Sequence, residues 1–199
     1  MLLVEDNVVS LLVVYGSLIN ATQLYRCLAL RGEARLVFVK GYRRVFNQEP
    51  AWRAGVGDRR AVLNVVESQQ DFFNGLLVDV SDDVFGELDE RERGYERVAV
   101  QCSRLFGFEG SGFGEADCLM CSEVAYIYLG RSGRQNNSIF PNEAYLELCL
   151  GGAMRWGKTF YRQFLRTTYV GDGTLERFLR ESSRVRREVD NCWKRETFY

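Results

Sequence analysis

An apolar run near the amino terminus ends abruptly at small residues. The run 11–15 (LLVVY) predicts a buried strand, and the Gly16-Ser17 pair that follows predicts a tight turn. Asn20 can then cap a helix, because apolar side chains recur at helical spacing over 21–30. This part of the chain is therefore predicted to form a strand, a turn and a helix.

In the middle of the chain, apolar and polar positions alternate over short segments, as they do in β-strands. We predict strands at 35–47, 61–66, 72–80, 95–105 and 124–129. Gly41 predicts a bend within the first of these strands, and the polar residues 68–71 predict a turn between the second and the third. A short acidic helix over 83–93, capped by Ser81 or Asp82, interrupts the series.

Beyond Pro141 the apolar period becomes that of a helix. Strands followed by helices favour an α+β fold over an alternating parallel sheet. A chain of 199 residues supports one substantial core, so we predict a single domain over residues 1–199.

Composition and charge narrow the classes of function. Apolar residues make up 46% of the chain and charged residues 27%, the balance of an ordinary soluble domain. With 26 basic and 27 acidic side chains the net charge is -1, so we expect neither a nucleic-acid partner nor a membrane partner. The sequence shows no signal-peptide pattern and no run near the ~20 apolar residues of a membrane helix, so we expect a cytoplasmic protein.

The absence of histidine removes Ser-His-Asp and Cys-His catalysis and the metal centres built on imidazole. An acid–base catalyst must then be a carboxylate, Lys, Tyr or Cys. The six cysteines lie singly in apolar segments, and we expect reduced thiols. Cys118 and Cys121 have the CxxC spacing of redox or zinc sites, but no further pair completes a four-ligand site, so we expect no metal.

Two segments have features that catalysis or binding would need. The strand that stops at Gly16-Ser17 can turn consecutive backbone N–H groups outward into an anion site, with an ordinary turn as the alternative. The acidic segment 87–92 crowds four carboxylates, and crowding or burial raises the pKa of such a group and makes it a better base. A solvated acidic helix is the alternative for this second segment.

Taken in order, these segments resemble a known family. Tyr15-Gly16-Ser17-Leu18, then 41–47 (GYRRVFN) and 88–95 (LDERERGY), occur at the spacing seen in γ-glutamyl cyclotransferases and their ChaC-like and AIG2-like relatives. With Tyr126 and the segment 141–153, the similarity spans most of the chain. The resemblance implies an α+β fold with a mixed β-barrel and peripheral helices. Its core covers about residues 11–153, and residues 154–199 form a helical extension.

The resemblance also implies an activity and its residues. The loop Tyr15–Leu18 would hold a γ-glutamyl group, and Glu92, rather than Glu90, would act as the general acid and base that releases 5-oxoproline without metal or cofactor. Tyr126 matches the binding-site tyrosine of the family, with Tyr128 as the alternative. The substrate would be a small γ-glutamyl peptide, a γ-glutamylamine or glutathione. Neither the choice among these nor the oligomeric state follows from the sequence.

Three features lie outside this resemblance. The glycine-rich insert 109–121 departs from the family core. The basic segment 177–195 predicts the solvent-exposed face of an amphipathic helix or, alternatively, a site for an anionic partner. The segment Gly152–Thr159 matches the phosphate-binding pattern GxxxxGK[ST], but a helix rather than a strand is predicted before it. The rival functions are therefore a binding module without turnover and a nucleotide-binding protein.

Overall fold

The computed structural model describes residues 9–28, 33–50, 60–108 and 124–182. Eight strands are present: β1 Val9–Val14, β2 Arg35–Gln48, β3 Val62–Ser81, β4 Tyr95–Val100, β5 Leu105–Gly107, β6 Ala125–Gly130, β7 Thr168–Val170 and β8 Gly173–Thr174. The α-helices in these ranges are α1 Ala21–Cys27, α2 Val84–Arg91, α3 Glu143–Arg155, α4 Lys158–Arg166 and α5 Leu175–Glu181. Short 3-10 turns cover Ser17–Ile19, Cys102–Arg104 and Ser132–Arg134.

All eight strands form one mixed sheet in the order β4-β6-β1-β3-β2-β7-β8, with β5 paired to β2. The strand β1 lies inside the sheet, antiparallel to β3 and parallel to β6. This arrangement confirms the predicted α+β class and mixed sheet. Within the described residues no pairing joins the outer strands β4 and β8, so the sheet is open rather than a closed barrel.

The strands β2 and β3 form a long antiparallel pair inside the sheet. The predicted bend at Gly41 is confirmed, because this glycine has a φ of 87° and the register shifts between Lys40 and Tyr42. The predicted turn at 68–71 is wrong. The strand β3 runs through it for 20 residues, and these side chains are polar because they are partly or fully exposed to solvent.

The helix ends test the capping predictions. The side-chain oxygen of Asn20 accepts the N–H of Gln23 at 3.3 Å, which confirms the cap of α1. The predicted cap of α2 is wrong, since Asp83 holds the N-cap position without a side-chain cap. The 3-10 turn Cys102–Arg104 divides the strand predicted over 95–105 into β4 and β5.

The described residues after Gly157, up to Ser182, belong to the sheet as well as to the helical layer. The predicted helical character is confirmed by α4 and α5, and the structure adds β7, which pairs parallel to β2. Phe160 and Phe164 of α4 are fully buried in the hydrophobic cluster that also contains β1 and β3 side chains.

Arg44 is fully buried in β2, beside this carboxyl-terminal part. Its guanidinium makes five hydrogen-bond contacts to uncharged oxygens, which come from Asn74, Phe164, Thr167 and Thr168. The same group lies over the ring of Phe164, 3.9 Å from its centroid. Burial lowers the pKa of Arg44 from its usual value.

The segment Gly152–Thr159 forms the end of α3, a turn and the start of α4. A phosphate-binding loop follows a strand and keeps its backbone open to the ligand. Gly152 is instead buried in α3, where an added Cβ would lie 2.7 Å from the backbone nitrogen of Asn20. The predicted helical context is therefore confirmed, and this segment lacks the geometry of a nucleotide site.

Cys27 and Cys149 are free thiols, as predicted. Cys102 is disulfide-bonded, so the expectation of a reduced thiol is wrong there; this residue lies half-buried in a 3-10 turn rather than in the core. The CxxC pair, the insert 109–121 and the basic segment beyond Ser182 lie outside the described residues. Within the described ranges, none of the helices has the length and apolarity to cross a membrane.

Candidate active site

A pocket lies where β1 ends. The loop Tyr15–Leu18 forms one wall, and Glu92 contributes the carboxylate. Tyrosines from three other elements complete the polar lining: Tyr95, Tyr128 and Tyr145. The loop and the glutamate selected from the sequence therefore face the same space.

The loop turns sharply because a 3-10 turn begins directly after Gly16. The N–H of Ile19 donates to the carbonyl of Gly16 at 3.0 Å. The N–H of Ser17 donates to the hydroxyl of Tyr145 at 3.3 Å. A Cβ on Gly16 would lie 2.7 Å from that hydroxyl. Glycine is therefore needed here so that Tyr145 can reach the loop.

Glu92 occupies the C-cap position of α2. Its N–H donates to the carbonyl of Leu88 and its carbonyl accepts the N–H of Tyr95, both at 2.8 Å. Two residues on, the carbonyl of Gly94 accepts the side-chain N–H of Gln48 at 2.8 Å. These bonds fix the turn that aims the Glu92 side chain into the pocket.

The carboxylate of Glu92 is 20% exposed. Burial raises the pKa of Glu92, because desolvation disfavours the charged form, and the neighbouring Arg91 opposes that shift. The Nε of Arg91 lies 3.2 Å from Oε1 of Glu92. Nη2 of the same guanidinium lies 3.5 Å from Oγ of Ser17, and Nη1 donates to the thiol of Cys27. Arg91 thus links the glutamate to the loop.

The tyrosines are held by hydrogen bonds to fixed acceptors. Tyr15 donates to the carbonyl of Tyr128 at 2.5 Å, and Tyr95 donates to the carbonyl of Leu63 at 2.6 Å. The hydroxyl of Tyr128 donates to the carboxylate of Asp89 at 2.6 Å. Burial raises the pKa of Tyr15, Tyr95 and Tyr128, so these hydroxyls stay neutral and keep the protons that they donate to these acceptors.

Comparison with solved structures shows the same architecture in other proteins. A γ-glutamyl cyclotransferase matches with a TM-score of 0.55 and 13% identity, over 92% of this chain and 99% of that protein. The chain has the γ-glutamyl cyclotransferase fold. A yeast γ-glutamyl cyclotransferase specific to glutathione matches at 0.52 and 13%, over 81% and 96%. An uncharacterized protein from Homo sapiens matches at 0.56 and 14%, over 92% and 98%.

At the level of sequence, neither a family model nor a curated protein matches this chain. The structural similarity at these identities establishes the γ-glutamyl cyclotransferase fold. The contribution of individual side chains has to be argued from the pocket itself.

In this example of the γ-glutamyl cyclotransferase fold, Tyr126 does not line the described pocket wall. Its ring packs edge-on against Phe85, with centroids 5.3 Å apart, and Arg97 lies over it at 5.2 Å. Tyr128, two residues further along β6, lines the pocket instead. The placement therefore favours Tyr128, the alternative considered above, as the pocket tyrosine.

Sequence reasoning did not assign roles to Tyr95 and Tyr145, although both belong to the segments that carry the resemblance. A signal for both was present in the sequence. Tyr95 directly follows Gly94 at the end of the acidic segment 88–95, and Tyr145 lies between apolar residues in the segment 141–153. The structure brings both of them into the lining of the pocket, together with Glu92 and the loop.

Proposed function

We propose that this protein is a γ-glutamyl cyclotransferase-like enzyme that releases 5-oxoproline from a small γ-glutamyl compound. The observation that carries the proposal is the position of Glu92: a largely buried carboxyl with a raised pKa lines the same pocket as the loop Tyr15–Leu18. A base whose pKa is tuned towards neutrality is more effective than an ordinary glutamate.

The reaction needs few protein groups, because the substrate carries its own nucleophile. The α-amine attacks the γ-carbonyl carbon and forms the C–N bond of a five-membered lactam, while the C–N bond to the leaving amine breaks. Glu92 takes a proton from the α-ammonium and later delivers one to the leaving amine. Holding the folded conformer supplies much of the rate, since well-oriented intramolecular reactions reach effective molarities of ~10⁵ M or more.

Neutral donors around the pocket support the binding of a zwitterionic glutamyl group. The loop Tyr15–Leu18 contributes backbone N–H groups at the amino end of a 3-10 turn, and Tyr145 contributes a hydroxyl that lies against the N–H of Ser17. Such fixed donors stabilise either the substrate carboxylate or the oxyanion that develops on the γ-carbonyl.

Replacement of the proposed acid–base group tests this function. Glu92→Gln should lower 5-oxoproline release by about 10²- to 10⁴-fold, the usual contribution of a general acid–base group. Glu90→Gln is the matched control, because Glu90 is exposed on the same helix and does not line the pocket. Product is measured by mass spectrometry with a panel of γ-glutamyl dipeptides, γ-glutamylamines and glutathione.

Equal activity in the Glu92→Gln and Glu90→Gln variants would contradict the assignment of the base. A wild-type protein whose melting temperature rises with γ-glutamyl compounds but which forms no 5-oxoproline would be a binding module without turnover.

A further inference from the structure

A second space adjoins the pocket on the side of Glu92. This groove, with a cavity volume of about 350 Å³, shares Ser17, Glu92, Tyr95 and Tyr145 with the inner pocket. A γ-glutamyl group held in the inner pocket would place its scissile bond beside Glu92, so the leaving group would extend into the groove. The groove is large enough for an amino acid.

The described residues that line the groove are mostly neutral. Arg91 provides the positive charge and Glu92 the negative one, and the remaining polar side chains include Gln23 and Asn142. The side chain of Arg91 is 31% exposed, so it is accessible to a ligand but partly shielded from water. A carboxylate bound to it would be less screened than one at an open surface.

The guanidinium of Arg91 has donors to spare. Its contacts to Glu92, Ser17 and Cys27 use one N–H on each of its three nitrogens. Each terminal nitrogen of a guanidinium carries a second N–H. A guanidinium with two N–H groups left over can bind a carboxylate through charge-assisted hydrogen bonds.

We propose that the groove is the subsite for the leaving group and that Arg91 binds a carboxylate on it. The preferred substrates are then γ-glutamyl peptides, whose leaving amine is an amino acid, rather than γ-glutamylamines without a carboxylate. This inference rests on the proposed function, and it assigns the acceptor side of the substrate to one residue of this chain.

A pair of substrates that differ only in the proposed contact tests the subsite. We would compare kcat/KM for γ-glutamyl-alanine with that for γ-glutamyl-alaninamide, which replaces the carboxylate by a neutral amide of the same shape. Wild-type protein should prefer the carboxylate by about 10- to 100-fold, the range of a hydrogen-bonded charge. In Arg91→Gln this ratio should fall towards one, and in Arg91→Lys it should be intermediate.

Arg93→Gln is the matched control, since Arg93 is exposed and does not line the groove; its ratio should equal that of the wild type. Because the readout is a ratio within one protein, a general loss of activity or of folded protein does not change it. Equal kcat/KM for the two substrates in the wild type, or an unchanged ratio in Arg91→Gln, would overturn the subsite. Release of 5-oxoproline neither from these two substrates nor from any other member of the panel would overturn the proposed function itself.

Discussion

Two largely buried charges, Arg44 and Glu92, have opposite surroundings. Arg44 is enclosed by oxygens of Asn74, Phe164, Thr167 and Thr168 and packs on an aromatic ring. Glu92 pairs with Arg91 at 3.2 Å and otherwise faces a pocket. Burial lowers the pKa of Arg44 and raises the pKa of Glu92, and both shifts favour the neutral form of the group.

The difference between them teaches how to separate a structural charge from a reactive one. Desolvation shifts the pKa of both Arg44 and Glu92, so burial by itself does not distinguish a functional site from a structural charge. A charge whose hydrogen-bonding capacity is filled by the protein stabilises the arrangement around it. A charged group that keeps unused hydrogen-bonding capacity and lies beside an open space can exchange a proton with a ligand.

Removing the enclosed charge should have the largest effect. Arg44→Met keeps most of the volume but removes all five hydrogen bonds that the guanidinium donates to buried oxygens. We expect the free energy of unfolding to fall by about 3 to 5 kcal/mol, as when one partner of a buried network is removed. Urea denaturation measures the change.

The neighbouring Arg43 provides the control. It pairs with Asp71 at 2.8 Å, with its side chain 44% exposed, and exposed pairs contribute less than about 1 kcal/mol. If Arg44→Met were as stable as Arg43→Met, the enclosed charge would not be structural.

A single added methyl group should perturb the open site. In Gly16→Ala the new Cβ would meet the hydroxyl of Tyr145, which must move and release the N–H of Ser17. We expect kcat/KM for 5-oxoproline release to fall about 10- to 100-fold, since displacements near 1 Å have such effects. Gly86→Ala in α2 is the control, because nothing lies within 4 Å of its added Cβ. Equal kinetics in both variants would show that the loop does not hold the substrate.

A smaller effect concerns the free energy of unfolding and its dependence on pH. The pKa of Glu92 is raised in the folded protein, so the unfolded chain ionises first as the pH rises above the ordinary value of 4.5. The free energy of unfolding therefore falls as the pH rises from this ordinary value to the raised pKa of Glu92 in the folded protein. Glu92→Gln should therefore be more stable than the wild type near neutrality, by about 1.4 kcal/mol for each unit of raised pKa.

The advantage of Glu92→Gln should disappear at about pH 4, where both states of the wild type become protonated. Urea denaturation at the two pH values provides the comparison, with the exposed Glu90→Gln as control. A pH-independent difference would indicate a change in packing rather than in ionisation.

The residues predicted from sequence are those whose role is encoded locally. The strand, turn and helix around Gly16 follow from an apolar run, small residues and the capping Asn20, all within a few positions. The bend at Gly41 follows from the freedom of glycine to adopt a positive φ. Glu92 was reached through motif order, and the pocket places it opposite the loop.

The missed features depend on contacts between distant segments. Asp71 lies in a polar stretch that predicts a turn, but β3 continues through it, the register shift against β2 takes up the extra residues, and Arg43 pairs with it. The sequence predicts only a strand around Arg44, because its hydrogen-bond acceptors come from β3, from α4 and from the residues just after α4. Tyr126 and Tyr128 share one face of β6, and only the packing of α2 distinguishes them.

The order in which the chain leaves the ribosome matters for this fold. Tyr15 bonds to a carbonyl 113 residues away, and the N–H of Ser17 bonds to a hydroxyl 128 residues away. Contacts at such separations form late and slow folding, since long loops must close before they contribute. The candidate active site should therefore assemble only after α3 has been translated, and nascent chains that stop before α3 should not bind or turn over the proposed substrate.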